Sequence, residues 1–172
     1  ITSNPFNPDI IYYGTGESRA NSADVSGNGV FKSIDRGESF EQLNSTVGLN
    51  GMDEIWHIEH SKSDSSTLFV GTNSRGLYRR TDEGSTWENV YSGGNRQVND
   101  ILCLPNNRIL ISMHANGVLM SDSNGNAGTW TTASFPNRPG SGQFRRIQLA
   151  NCAAYPNVVY ALFEGYGFSD PP

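Results

Sequence analysis

One pattern returns along the chain and leaves few folds open. An apolar run leads to a glycine loop. A second run opens on glycine and an apolar residue, an acidic turn follows, and an aromatic ring begins the last segment. The first copy reads Ile10 to Glu17, then Gly29-Val30-Phe31-Lys32-Ser33, then Asp35-Arg36-Gly37-Glu38-Ser39-Phe40. The second reads Leu68 to Asn73, then Gly76-Leu77-Tyr78-Arg79-Arg80, then Asp82-Glu83-Gly84-Ser85-Thr86-Trp87. The third reads Ile109 to Met113, then Gly117-Val118-Leu119-Met120-Ser121, then Asp122 through Gly128-Thr129-Trp130. A fourth opens at Val158 to Phe163 and reaches Gly167-Phe168-Ser169-Asp170.

Asp35, Asp82 and Asp122 are 47 and 40 residues apart. A repeat of roughly 40–50 residues holding four short strands predicts an all-β propeller of four-stranded antiparallel blades. Helical solenoids share the period but need long 3.6-residue periodicity. The 19 glycines and 8 prolines interrupt any such stretch. Met52, Ile55, Trp56 and Glu59 fit one helical face, yet the segment aligns with Val98–Leu104 and Phe144–Ala150 and reads as a strand. The blade segments fall at about 1–45, 52–92, 97–134 and 143–172, the last incomplete and the first lacking its innermost strand.

The acidic turn has a structural chemistry. An aspartate at the head of a hairpin accepts backbone N–H groups of its own turn. The glycine two residues on permits a positive φ. The hydroxyl two residues further closes the polar network, and the ring after it is an apolar plug. The residues are Ser33, Asp35, Gly37, Ser39 and Phe40 in the first copy, and Asp82, Gly84, Thr86 and Trp87 in the second. In the third they are Asp122, Thr129 and Trp130, with an insertion at Ser123 to Ala127. Arg80 stands where the first copy has Ser33.

These turns, with Asn4-Pro5-x-Asn7-Pro8 before Ile11-Tyr12-x-Gly14-Thr15-Gly16-Glu17, and Arg146-Ile147-x-Leu149-Ala150 before Pro156 to Ala161, resemble the bacterial neuraminidase repeat (BNR), or Asp-box, family. More widely the chain is similar to sialidase-like, sortilin-like and xyloglucanase-like propellers. The resemblance spans the chain and implies a propeller whose acidic turns lie on the rim, away from the usual ligand face. Closed propellers use roughly four to eight blades. An arc of three and a half leaves two apolar faces open, so the 172 residues read as a piece of a longer polypeptide.

Composition narrows function by exclusion. Twelve basic against 17 acidic side chains give a net charge of −5, with no basic footprint for nucleic acid. No apolar run approaches the ~20 residues of a membrane span. Ile1 to Ile10 show neither the basic start nor the apolar block of a secretory leader. Ten arginines against two lysines, with abundant Ser and Asn, point to an exported or surface protein.

Glycoside hydrolysis needs two carboxylates roughly 5–10 Å apart across a sugar bond. The loop acids are Glu17, Asp24, Asp53, Glu54, Asp100 and Glu164. Asp53 and Glu54, just ahead of Trp56 and His57, are the weak catalytic candidates; solvated loop charges are the preferred reading. Arg145-Arg146-Ile147 lacks the proline of the sialidase motif, Gln148 standing there instead, and sialidase activity is discounted. His57, His60 and His114 have no metal-ligand spacing, and no metal or cofactor is expected. Cys103 and Cys152 read as two buried thiols, and Asn44-Ser45-Thr46 as a glycosylation sequon.

Two functions remain. The first is a non-catalytic structural or protein-interaction propeller of a larger secreted or cell-surface protein. Its partners are the remaining blades and a surface or membrane complex, with no nucleic acid and no direct membrane insertion. The second is a fragment of a xyloglucanase-like hydrolase acting on polysaccharide, with Trp56 and Tyr155 stacking on sugars.

Overall fold

The computed structural model describes residues 1–17, 25–83, 86–93, 97–140 and 142–165. Gly84, Asp24 and the Gly167–Asp170 segment lie outside them. Alternating apolar residues bounded by Gly, Asn and Asp fold into antiparallel sheets, and no α-helix forms among the described residues. The first sheet runs β1 (Thr2–Asn4), β2 (Asn7–Gly14), β3 (Val30–Ser33) and β4 (Glu41–Gln42). The second runs β5 (Ile55–His60), β6 (Leu68–Thr72), β7 (Leu77–Arg80) and β8 (Glu88–Tyr91). The third runs β9 (Val98–Cys103), β10 (Ile109–Met113), β11 (Gly117–Ser121) and β12 (Thr131–Thr132). The fourth pairs β13 (Phe144–Cys152) with β14 (Tyr155–Gly165).

Thr2–Asn4 corrects the expectation that the first blade lacks an innermost strand: Thr2 pairs with Tyr12 and Ser3 with Ile11. The short run carries no apolar pair, so its sequence did not announce it.

The first strands of successive sheets lie side by side, β1 on β5, β5 on β9 and β9 on β13. Each sheet thus packs face to face on the next, as blades do around an axis. Alternation along a strand sends neighbouring residues to opposite interfaces. Leu68 and Val70 pack toward the first sheet with Tyr12, Val30, Ile55 and Ile58. Phe69 and Leu77 pack toward the third with Val98, Ile101 and Ile111. Leu110 and Val118 meet Phe144 and Ile147 of the fourth. With both faces covered, β6 and β10 are buried at every residue.

The approach is close enough to restrict side-chain size. A Cβ on Gly14 would collide with Ile55 Cγ2, and one on Gly71 would stand 2.7 Å from Val98 Cγ1. Gly71→Ala is therefore expected to destabilise the fold by about 1–3 kcal/mol. A urea titration reads this directly, and an unchanged midpoint would contradict the packing.

Candidate functional site

The innermost strands carry the chain's polar centre. β5, β9 and β13 each depart from strict alternation near their start, spaced apolar-x-x-apolar: Ile55 and Ile58, Val98 and Ile101, Phe144 and Ile147. The strand register slips there, leaving Trp56, Asn99 and the Arg145–Arg146 pair out of step with their partners. Such bulges re-aim side chains. The Arg146 guanidinium lies over the Trp56 ring, 5.5 Å from its centroid, although the two belong to alternate sheets.

Asp100 sits in the middle of this region, 5% exposed. Its Oδ1 accepts from the Ile101 backbone N–H at 2.9 Å and lies 3.1 Å from His57 Nδ1. Its Oδ2 accepts from the Leu149 backbone N–H at 2.7 Å. One carboxylate therefore ties the second, third and fourth sheets together. Burial pushes the His57 imidazole below its ordinary value, against the attraction of Asp100. Asp100, taken from its sequence as a loop acid, lies inside β9, and Glu164 lies inside β14. Asp100 falls within Val98–Leu104, which the sequence also reads as a strand, so its place among the loop acids is corrected in favour of that strand. Its partners His57 and Leu149 are too distant in sequence for spacing to reveal.

The sequence candidates fall elsewhere. Asp53 is exposed in the turn before β5, and its carbonyl accepts from Gly27 N at 2.7 Å. It borders a groove of about 480 Å³ floored by Gly29, Thr46, Asn50 and Met52. Glu54 Oε2 accepts from Asn73 Nδ2 at 3.0 Å. Glu17 donates its backbone N–H to Val25. Trp56 stands near the start of β5, whereas Tyr155 begins β14 and so lies at the opposite end of its sheet. The two rings do not share a mouth.

His57 and His60 face opposite ways, as three-residue spacing on a strand predicts. His57 meets Asp100, and His60 stacks near Tyr12, 6.1 Å between centroids. No group of three or more His, Cys, Asp or Glu poised for a metal occurs among the described residues. Cys103 is buried, but Cys152 is exposed at the end of β13, correcting the expectation of two buried thiols. Among the described residues no further sheet covers that edge.

The acidic turns are built from local bonds. Asp35 Oδ1 accepts from Ser33 Oγ at 2.6 Å and from Ser39 N at 3.0 Å, and its Oδ2 accepts from Ser39 Oγ at 2.5 Å. Ser33 Oγ accepts from Gly37 N at 2.8 Å, and Arg36 and Gly37 both take positive φ. In the second turn Thr86 donates its N–H and its hydroxyl to Asp82.

The third turn departs from the expected residues. Ser121 occupies the Ser33 position as expected, but the positive φ falls at Asn124 and Gly125, so Asp122 does not stand at the Asp35 position. Ser123 thus replaces the aspartate, Thr129 Oγ1 bonds Ser121 Oγ at 2.6 Å, and Asp122 pairs outward with Arg108. The insertion hid this register in the sequence.

The ring after the second and third turns bolts its sheet to the one before. Trp87 Nε1 donates to Ser45 Oγ at 3.1 Å, and Trp130 Nε1 donates to the Val90 carbonyl at 3.0 Å. Phe40, in the first sheet, meets the edge of Tyr13. Arg80 is 2% exposed, its guanidinium 4.8 Å from the Tyr12 centroid and 5.6 Å from that of Trp87. It fills the first interface by cation–π stacking where Ser33 and Ser121 make hydrogen bonds.

Four sheets packed on successive faces with their first strands innermost define an all-β chain of the propeller class. Solved structures similar to it include GH74 enzymes. An ancestral GH74 enzyme superposes with a TM-score of 0.68 at 20% identity, over 93% of this chain and 21% of its own. The GH74 enzyme of Niastella koreensis gives 0.65 at 21% identity, over 98% and 26%. The GH74 xyloglucanase of Xanthomonas campestris gives 0.58 at 20% identity, over 84% and 24%. The chain thus spans about a fifth to a quarter of these structures, and at this identity the likeness establishes the fold. Comparison with protein-family profiles and with curated proteins gives no match.

Two stability measurements test the assignments. Hydrogen bonds from Ser33 and Ser39 hold the Asp35 carboxyl at about 2, below the ordinary 3.8. A carboxyl depressed in the folded state stabilises fully above its unfolded value and loses that contribution as pH falls toward 2. Asp35→Asn is expected to lower the thermal midpoint by a few degrees at pH 7, the difference shrinking as pH falls from about 4 through 2. Asp100→Ala leaves the Leu149 and Ile101 N–H groups without their acceptor and is expected to cost about 3 kcal/mol in chemical denaturation. A loss no larger than that of an exposed Asp53→Ala control would remove Asp100 from its bridging role.

Proposed function

We propose that the chain is an arc of a larger Asp-box propeller serving as a rigid, non-catalytic interaction module of a secreted or cell-surface protein. The observation that carries the reading is the fate of the carboxylates. The groove beside Asp53 is lined by that one carboxylate among the described residues, while Glu54 is held by Asn73. Asp100, the most buried aspartate among the described residues, is consumed in joining three sheets. Hydrolysis of a glycosidic bond requires a facing pair. Rigid sheets whose buried carboxylate is spent on joining them suit a scaffold, whose partners meet the surface loops.

The larger-propeller part of the reading is supported by the fourth sheet. Tyr160 and Leu162 are 63% and 73% exposed on β14, where Phe69 and Leu110 of the earlier sheets are buried. Remaining blades of the same polypeptide are the proposed cover, and a surface or membrane protein complex is the proposed partner. A second reading, part of a polysaccharide hydrolase, is favoured by the fold likeness to a xyloglucanase and by Trp56 among the innermost strands.

Incubation of the full-length polypeptide with xyloglucan and mixed-linkage β-glucan decides between them. The expected result is no release of reducing ends, together with recovery of the polypeptide from medium or cell surface in a defined complex. Depolymerisation abolished by Asp53→Asn or Glu54→Gln establishes the second reading instead. A lone, freely soluble polypeptide counts against the first.

A further inference from the structure

The groove of about 480 Å³ beside Asp53 has two walls. One is formed by residues 27–29, which lead into β3. The other comes from residues 42–53, between β4 and β5. Both lie at the strand ends away from the acidic turn of the first sheet. Hydrogen bonds clamp the walls together. Gln42 Nε2 donates to the Asn28 carbonyl at 2.5 Å, and Gly27 N donates to the Asp53 carbonyl at 2.7 Å. Gly29 permits the approach, since a Cβ there would stand 2.3 Å from Thr46 Oγ1. That hydroxyl accepts from the Val30 N–H and donates to the Leu43 carbonyl. From the second sheet, Tyr78 Oη donates to the Asn50 carbonyl at 2.9 Å. The groove is thus held in shape before any partner arrives, which lowers the cost of binding.

The backbone is spent on this frame, but the side chains are not. The carboxamides of Asn28 and Asn50 and the carboxylate of Asp53 are exposed and make no hydrogen bond or ion pair among the described residues. No basic side chain lines the groove among those residues; Arg75 meets Gly51 only through Cβ and Cγ. Glu54 follows Asp53 in the chain. Glu17 follows Gly16, where an added Cβ would stand 2.1 Å from the Asp53 carbonyl. Acidic positions 17, 53 and 54 therefore adjoin, and the field over this mouth is negative. The apolar part of the lining is a short strip, Val47, Leu49 and Met52, with Val47 58% exposed.

Such a site selects by charge and shape. Unspent oxygens facing no cation suit a cationic head that only donates hydrogen bonds. The apolar strip suits the aliphatic stem that carries such a head in lysine and arginine. An anion is opposed by Asp53, and no aromatic ring lines the groove for a sugar to stack on. We propose that the groove seats a lysine or arginine side chain of a protein partner, with its stem along Val47 and Leu49 and its cation at Asp53. The proposal rests on the reading of the chain as an interaction module and names the chemistry of one contact.

The test titrates the full-length polypeptide with acetyl-Gly-Arg-Gly-amide, acetyl-Gly-Lys-Gly-amide, acetyl-Gly-Gln-Gly-amide and cellotetraose. Ligand-observed saturation-transfer NMR reads binding. The two basic peptides are expected to bind saturably and the glutamine peptide not to bind. Asp53→Asn is expected to weaken the basic peptides about fivefold or more, and Val47→Ser to reduce transfer to their side-chain methylenes. Unchanged thermal midpoints in both variants show that the fold is intact. Equal binding of all three peptides, or basic-peptide binding indifferent to Asp53→Asn, overturns the cation seat. Binding of cellotetraose in their place overturns it and favours the hydrolase reading. No binding of any probe also overturns it, while the interaction module then stands or falls on recovery of its complex.

Discussion

Face-to-face contact between sheets is the constraint from which the other features follow. A four-stranded sheet of this sequence is apolar on both sides, since Leu68 and Val70 point one way and Phe69 and Leu77 the other. Neither side is stable in water, and burial of apolar surface is worth roughly 25 cal/mol per Å². Stacking gives each interior sheet two covered faces. It also fixes how near the backbones come, and that distance dictates glycine at positions 14 and 71 and a small hydroxyl residue at 112. The same packing that stabilises the array therefore writes a size rule into one strand position per sheet.

Apolar packing alone would let neighbouring sheets rotate or slide. The buried polar groups remove that freedom. Asp100 reaches a backbone N–H of the fourth sheet and a histidine of the second, Ser112 reaches a carbonyl of the fourth, and Trp130 reaches a carbonyl of the second. Each bond is satisfied at one relative setting of the sheets, and leaving such a group unpaired is costly. Arg80 follows a different logic. With Nε and Nη1 unpartnered, it holds its place through the π faces of Tyr12 and Trp87. The Arg80 interface thus exchanges directional bonding for contact area.

Much of the architecture was legible from residues alone, and for a common reason. The acidic turn is made by bonds spanning two to four residues, so Ser33, Asp35, Gly37 and Ser39 announce it in order. Strand alternation and the spacing of the turns then give sheets of four strands in series. Legibility failed where a local rule was interrupted. The insertion in the third turn concealed Ser123 behind Asp122, and the bulge at Asn99 re-aimed Asp100 in a way that alternation along its strand does not show. Thr2–Asn4 had no apolar pattern to show, and Cys152 shared the pattern of a buried strand although it is exposed at the strand's end.

The sequence by itself determined the repeating unit: which segments extend, where they reverse, and which rings follow each turn. These are decided within a few residues by backbone geometry and short hydrogen bonds, so neighbours in sequence suffice. The tertiary structure alone decided the seams. Asp100 finds Leu149 across 49 residues, Trp130 finds Val90 across 40, and Arg146 finds the ring of Trp56 across a whole intervening sheet. Those partners are selected by the distance and angle at which two apolar faces close, a quantity that no single strand carries.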